Sequence, residues 1–575
     1  MTQAVATFGG AQRAALEPFS EPRRTLLRIS DLSVDYVTRG RQSAAVRGVS
    51  FEVRQGEVVA LVGESGSGKS TIALAATGML PDSARVVGGS ITLGGRELVG
   101  LRERALSRIR GDEIGWIPQD PMIALNPLHR VGRQVAEPLR IHRLLDRQAL
   151  QDKVISLLER VRIPDAKMRA RQFPHELSGG MRQRVLIAAA VGPEPRLIIA
   201  DEPTTALDVT VQKTILDDIA VLTASSGISM LLITHDLGVA IDRANRVVVL
   251  KEGQIVEEGS TEDVMRRPRH AYTRMLLASA PSLANGRRRA STISNFAVPA
   301  TSGSSSERPS EPILSIRNIS RDFMSSKSRS AGTHVVRAVV DVSLELARGK
   351  TLAIVGESGS GKSTTARIAL GLIRPDAGDV FFDGVNTKSL DREGVLRMRR
   401  LTQPIYQNPF SSLDPRFSVL QIIDEPLEGF RFGDRAARRR RVRDLMEQVG
   451  LSESLASRYP AELSGGQRQR VAIARALAPE PAVLVCDEPV SALDVSIQAQ
   501  ILELLAKLQE AHGLSYLFIS HDLAVVRQVA DDVAVMKDGR VVEVGPADEI
   551  FVRPRHEYTR LLLDSIPGGG RLTHA

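Results

Sequence analysis

Short apolar runs punctuate the chain, and several of them end in the same way. VVALV at 58–62 and LAIV at 352–355 each lead into GESGSGKST, at 63–71 and again at 356–364. A helix-compatible stretch, TIALAATGML in the first copy, comes next, so the pattern predicts strand, loop and helix, twice. Two more apolar runs, LIIA at 197–200 and VLVC at 483–486, read as buried strands that stop at the adjacent carboxylates of DEP. Residues 285–312, NGRRRASTISNFAVPATSGSSSERPSEP, show no apolar periodicity and are rich in Ser, Pro and Arg, which predicts a flexible linker. No window of 18 apolar residues exists to cross a bilayer.

The repetition extends along most of the chain. The glycine loops are 293 residues apart (63 to 356), Gln119 and Gln407 are 288 apart, and the LSGG stretches at 177 and 463 are 286 apart. The offset then stays at 286 for Asp201 and Asp487, for His235 and His521, and for His270 and His556 in HAYTRMLL and HEYTRLLL. The chain is a tandem duplication. Its 575 residues, 42% apolar and 25% charged, suffice for a separate core in each copy. The expected boundaries are a flexible N-terminus at 1–25, domains at 26–284 and 313–568, and the linker at 285–312. Cys486 is the one cysteine, which excludes a disulfide framework and any cysteine-built zinc or iron–sulfur site, and fits a reducing compartment. The opening MTQAVATFGG lacks the order of a secretory signal, so the expectation is a cytosolic chain. The net charge of +9 is spread out apart from RAARRRRVR at 435–443, read as a solvated helix face.

The loop matches GxxxxGK[ST]. Gly63, Ser65, Gly66 and Gly68 let backbone N–H groups turn around phosphate oxygens, and the helix beginning at Lys69, Ser70 and Thr71 adds its positive end. Lys69 is expected to reach the β- and γ-phosphates and Ser70 to ligate Mg²⁺. Gly356, Ser358, Gly359, Gly361, Lys362, Ser363 and Thr364 repeat the arrangement. Downstream of a phosphate loop, Asp201 and Asp487 are expected in the Mg²⁺ shell, with Glu202 and Glu488 as general bases toward water. Ser178, Gly179 and Gly180, and likewise Ser464, Gly465 and Gly466, head predicted helices and offer a second anion site.

With LSGGMRQRV and LSGGQRQRV standing between a Gln loop and an acidic pair, the chain resembles the ATP-binding cassette proteins. The resemblance implies an α/β fold of two tandem P-loop NTPase domains. Each would have a RecA-like core, an antiparallel β subdomain and an α-helical subdomain. It implies ATP and Mg²⁺ as cofactors, with the signature of each cassette closing over the nucleotide of the other, so that the two cassettes pair within one chain. Gln119 and Gln407 match the loop touching Mg²⁺ and the attacking water. Asp208 and Asp494 match the loop between sites, and His235 and His521 the switch contacting the γ-phosphate. Tyr36 resembles the residue that stacks on adenine, and Phe323 is its counterpart, lying 33 residues before its loop against 27 for Tyr36 because polar residues of MSSKSRSAGTH intervene. Met181 replaces the usual Gln of the first signature. Both copies keep Lys, Asp, Glu and His, so both sites are expected to be active.

QDPMIALNP, QNPFSSLDP and the tails from 268 and 554 look like the oligopeptide, dipeptide and nickel importer branch, with its two ATPases fused in one chain. This likeness implies an ATPase at the cytoplasmic face of the cell membrane, working with two permeases and an extracytoplasmic solute-binding protein, touching no solute itself and no nucleic acid. Peptide is the expected solute, with nickel, glutathione or another solute as alternatives. A soluble duplicated cassette protein acting on ribosomes or nucleic acid is the alternative from another class. It is disfavoured by the short Ser/Pro-rich linker and the lone cysteine, and an exporter ATPase is disfavoured by the tails.

Overall fold

The computed structural model describes residues 23–38, 41–143, 145–204, 207–279, 311–325, 334–491 and 493–567. The expected linker 285–312 lies outside these residues except at 311 and 312, and the expected flexible N-terminus except at 23–25. The chain divides into two compact units that take up the two copies of the repeat.

In the first unit, β1 (Thr25–Thr38), β2 (Arg41–Arg54), β4 (Ala84–Leu93) and β5 (Arg96–Glu97) form a four-stranded antiparallel sheet in the order β2-β1-β4-β5. Only one face of this sheet is dry, and β1 alternates accordingly, burying Leu27, Ile29, Leu32 and Val34. The register slips between Ile29 and Leu32, which keeps the apolar face inward past the bulge. β3 (Val58–Val62), β6 (Ile114–Ile117), β7 (Leu197–Asp201), β8 (Ser229–Thr234), β9 (Arg246–Lys251) and β10 (Gln254–Ser260) make a second sheet in the order β10-β9-β3-β8-β7-β6. All but the edge strand β10 run parallel. Parallel strands are covered on both faces, which is why VVALV and LIIA read as continuous apolar runs. One face packs with the antiparallel sheet in a core including Leu61, Ile72, Ile199 and Ile233. The other packs with the helical part, where Val135, Leu139, Leu158, Val185 and Ile187 are buried. That part contains helices Val131–His142, Arg147–Arg160 and Gly179–Val191.

The second unit repeats the plan. β11 (Leu314–Ser325), β12 (His334–Leu346), β14 (Ala377–Phe382) and β15 (Val385–Asn386) give the order β12-β11-β14-β15. β13 (Thr351–Val355), β16 (Thr402–Ile405), β17 (Val483–Asp487), β18 (Ser515–Ser520), β19 (Asp532–Lys537) and β20 (Arg540–Pro546) give β16-β17-β18-β13-β19-β20. The arginine cluster lies on helix Arg435–Gln448, which buries Val442, Leu445 and Met446 and pairs Arg438 with Asp424 at 2.9 Å.

In each unit the segments singled out in the sequence leave the sheet at the carboxyl ends of parallel strands. The glycine loop follows β3, Asp201 closes β7, His235 follows β8 and Gln119 follows β6. The ladder aligns those ends, pairing Val62 with Thr234, Asp201 with Ile233 and Ile117 with Ala200. This is the edge at which open α/β sheets bind ligands.

Candidate functional site

The phosphate loop is built by close backbone approach. A Cβ on Gly63 would meet the carbonyl oxygen of Leu250 at 2.2 Å, and one on Gly356 that of Met536 at 2.1 Å, so only glycine fits. Gly68 and Gly361 adopt φ 104°, a left-handed conformation at the point where the helices Lys69–Thr77 and Lys362–Ala369 begin. Both lysines are buried. Lys69 Nζ donates to the carbonyls of Gly63 and Glu64 at 2.7 and 2.8 Å, and Lys362 Nζ to those of Gly356 and Glu357, both at 2.7 Å. Ser65, Gly66 and Thr71, with Ser358, Gly359 and Thr364, lie on the same loops and helix starts.

Ser70 Oγ donates to Asp201 Oδ1 at 3.2 Å, and Ser363 Oγ to Asp487 Oδ1 at 3.0 Å. Burial raises both aspartates above their ordinary range, and the serine hydroxyls oppose the rise. A hydroxyl beside a carboxylate is a hard-oxygen pair that suits Mg²⁺ arriving with phosphate. Among the described residues no group of three or more His, Cys, Asp or Glu could hold a metal unaided.

The next residue in each strand-end pair, Glu202 or Glu488, is left-handed, at φ 44° and 49°. A left-handed glutamate is uncommon and carries strain. Two partners hold its carboxylate. Glu202 accepts from Gln119 Nε2 at 2.8 Å on one oxygen and lies 3.1 Å from His235 Nδ1 on the other. Glu488 has Gln407 Nε2 at 2.8 Å and His521 Nδ1 at 3.0 Å. Burial pushes Glu488 up, yet the hydrogen bond and charge of His521 outweigh it, and the carboxyl sits below its ordinary value. Burial likewise works against the imidazolium, and the bond to Glu488 raises His521 nonetheless. Asp236 and Asp522 cap helices Leu237–Arg243 and Leu523–Val529, accepting from the N–H groups of Gly238 and Ala524 at 2.8 and 2.9 Å.

Within each unit the sequence candidates therefore fall into one constellation: loop lysine and serine, Asp, Glu, Gln and His. The others are carried by further elements. Ser178 and Ser464 are N-caps of helices Gly179–Val191 and Gly465–Leu477, with Gly179, Gly180, Gly465 and Gly466 in the first turns. Asp208 and Asp494 immediately precede helices Val209–Ser226 and Val495–His512. Tyr36 lies on β1 and Phe323 on β11. The strand registers make them equivalent: Ile29 and Ile316 occupy matching positions opposite Phe51 and Leu344, and each aromatic comes seven residues later. The longer spacing seen in the sequence therefore arises after Phe323. Sequence reasoning missed the left-handed glutamates, which no motif advertises. It also missed the tail tyrosines, whose hydroxyls reach the phosphate loops, although HxYTR recurring in both copies was the available signal.

Known proteins share this outline. The family model described as "ABC transporter" matches residues 46–205 and 339–491, and that of the "Oligopeptide/dipeptide transporter, C-terminal region" matches 256–303 and 542–572. The oligopeptide transport ATP-binding protein OppD of Mycobacterium tuberculosis strain H37Rv is 44% identical, over 94% of this chain and 98% of that protein. The glutathione import ATP-binding protein GsiA of Pectobacterium atrosepticum is 43% identical over 95% of this chain and 90% of its own length. That of Escherichia coli O6:H1 is 44% identical over 94% and 89%. A solved ATP-binding cassette, MJ0796 bound to ADP and phosphate, is 32% identical, covers 41% of this chain and 98% of its own, and has a TM-score of 0.37.

Proposed function

Because the chain belongs to the ABC transporter family, we propose that its two cassettes hydrolyse ATP at the Gln–Glu–His constellations to drive uptake of short peptides through partner permeases. The chain is an ATP-hydrolysing subunit of an importer. In finer detail, Lys69 and Lys362 take the phosphates, Ser70 with Asp201 and Ser363 with Asp487 hold Mg²⁺, and Gln119 and Gln407 face the metal and water. Glu202 and Glu488 accept the proton of the attacking water, and His235 and His521 sense the γ-phosphate. Mg²⁺, when bound, neutralises charge developing on the transferred phosphoryl group.

The observation that carries this reading is the carboxylate gripped on both oxygens by a Gln amide and a His ring, in each unit. A general base must be ionised and aimed: the Gln amide and the His ring aim both glutamates, and His521 holds Glu488 below its ordinary value. The peptide assignment rests on the tail match and on relatives named for oligopeptide and for glutathione, itself a tripeptide. No helix among the described residues is long and apolar enough to span a membrane, so closure has to reach the permeases by contact. The segments after the Gln residues suit such docking: Met122, Ile123 and Leu128 are exposed in the first, as are Phe410 and Phe417 in the second. In this reading the chain sits peripherally at the cytoplasmic face, and the extracytoplasmic binding protein selects the solute.

The test is reconstitution with permeases and binding protein in vesicles. The wild type should take up labelled di- and tripeptides when ATP is supplied. The double variant Glu202→Gln, Glu488→Gln should still bind ATP while hydrolysis falls at least about 100-fold. Near-normal turnover in that variant would remove the glutamates from the role of base. Binding to ribosomes in place of permeases would overturn the importer reading.

A further inference from the structure

The tail helices carry more than a family mark. Resting on the reading that GESGSGKST holds the nucleotide, we propose that Tyr272 and Tyr558 are positioning residues that lock the first peptide of each phosphate loop. The C-terminal tail of each cassette thereby becomes part of its ATP affinity.

Gly63 and Glu64 share one peptide unit, and both of its polar ends are held. Its carbonyl accepts from Lys69 Nζ at 2.7 Å, while its N–H donates to Tyr272 Oη at 3.2 Å. The unit between Gly356 and Glu357 is held identically, by Lys362 Nζ at 2.7 Å and Tyr558 Oη at 3.2 Å. The plane of this peptide sets where the ammonium rests before phosphate arrives. A peptide with a free N–H can rotate, carrying the carbonyl off the lysine.

Each tyrosine is itself fixed from three sides. Its backbone N–H donates to the Nδ1 of the tail histidine, His270 at 3.2 Å and His556 at 3.1 Å. The turn before it is tied by a carboxylate: Glu257 accepts from the N–H groups of Arg269 and His270 at 2.7 and 3.0 Å, and Glu543 from those of Arg555 and His556 at 2.7 and 3.1 Å. Lys251 Nζ stands 5.2 Å from the Tyr272 ring centroid, and Lys537 Nζ 4.9 Å from that of Tyr558. Each lysine comes directly after the residue whose carbonyl abuts the loop glycine, Leu250 or Met536. Both rings are buried, and burial pushes the Tyr558 phenol up to about 12, so it stays neutral at physiological pH. A tail helix that only packed would gain nothing from the hydroxyl, and phenylalanine would serve. The hydroxyl spans more than 200 residues of sequence to the loop in both units.

The decisive variant is Tyr272→Phe with Tyr558→Phe in the full chain, which keeps ring and packing and removes one oxygen per site. The dissociation constant for ATP should rise about fivefold, as loss of a single hydrogen bond predicts. The turnover number should change less than about twofold, and the thermal midpoint little. Leu276→Val with Leu562→Val, at buried positions of the same helices, should lower the midpoint and leave ATP affinity alone. Unchanged affinity in the tyrosine variant overturns the proposal. So does an equal loss of affinity in the leucine variant, because tail packing would then account for it. A wild type that binds no ATP sinks the nucleotide reading and this proposal together, whereas ATP binding unaffected by Tyr→Phe sinks this proposal alone.

Discussion

At the scale of single residues, burial and backbone conformation decide what each side chain can do. Cys486 is the thiol at the end of β17, fully buried between Val485 and Asp487, and burial pushes its ionisation far above the ordinary thiol range. Thiolate is the reactive form, so the native chain should resist a thiol reagent such as dithiobisnitrobenzoate for hours and titrate one thiol once unfolded. Rapid labelling of the folded chain would show that β17 opens. The sequence reading of Cys486 as one small residue in an apolar strand needed no partner to be legible. Glu202 and Glu488 were legible only as residue types at a strand end. Their left-handed backbone depends on where the strand stops and what the Gln and His segments demand, and those segments come from elsewhere in the chain.

At the scale of elements, local chemistry distinguishes two helices that the repeat makes equivalent. Ser464 caps helix Gly465–Leu477 reciprocally: its hydroxyl accepts from the Gln467 N–H at 3.2 Å, and its own N–H donates to Gln467 Oε1 at 3.0 Å. Ser178 accepts from the Met181 N–H at 3.4 Å, and Met181 has no side-chain oxygen with which to return the bond. The Ser464 amide should therefore exchange hydrogen more slowly than the Ser178 amide, by about threefold for a partly exposed bond. Gln467→Met should remove the difference. Equal protection in the wild type would mean that the returned bond is not maintained in solution. The strands and the phosphate-loop helices were legible because their signals are local: a covered parallel strand is apolar throughout, and a glycine loop precedes its helix. The antiparallel sheet came only through family resemblance, since the slip between Ile29 and Leu32 interrupts the alternation that its one dry face imposes. The tail was harder still. Tyr272 and Tyr558 act on loops more than 200 residues away, and only the fold joins them.

At the scale of the whole molecule, the question is whether duplication left two working sites or one. The corresponding distances agree closely. Gln to Glu is 2.8 Å in both, His to Glu 3.1 and 3.0 Å, and Ser to Asp 3.2 and 3.0 Å. Lysine meets its two loop carbonyls at 2.7 and 2.8 Å in one unit and at 2.7 Å twice in the other. The two constellations differ by 0.2 Å or less at each contact, the largest difference being the longer Ser70 to Asp201 bond, so neither geometry favours a faster chemical step. The copies differ at Met181 against Gln467, in the number of residues after Phe323, and beside the constellation at Asp120 against Asn408, Thr204 against Val490 and Thr234 against Ser520, but every Lys, Ser, Asp, Glu, Gln and His of the constellation is kept. The single variants Glu202→Gln and Glu488→Gln should consequently leave equal residual turnover, within about twofold of one another. If the sites fire independently, that residue is about half the wild-type rate, and if they are coupled it is far smaller. Equality is expected in either case. One variant at nearly full activity beside another that is inactive would show that a single cassette does the chemistry, in spite of the matched geometry.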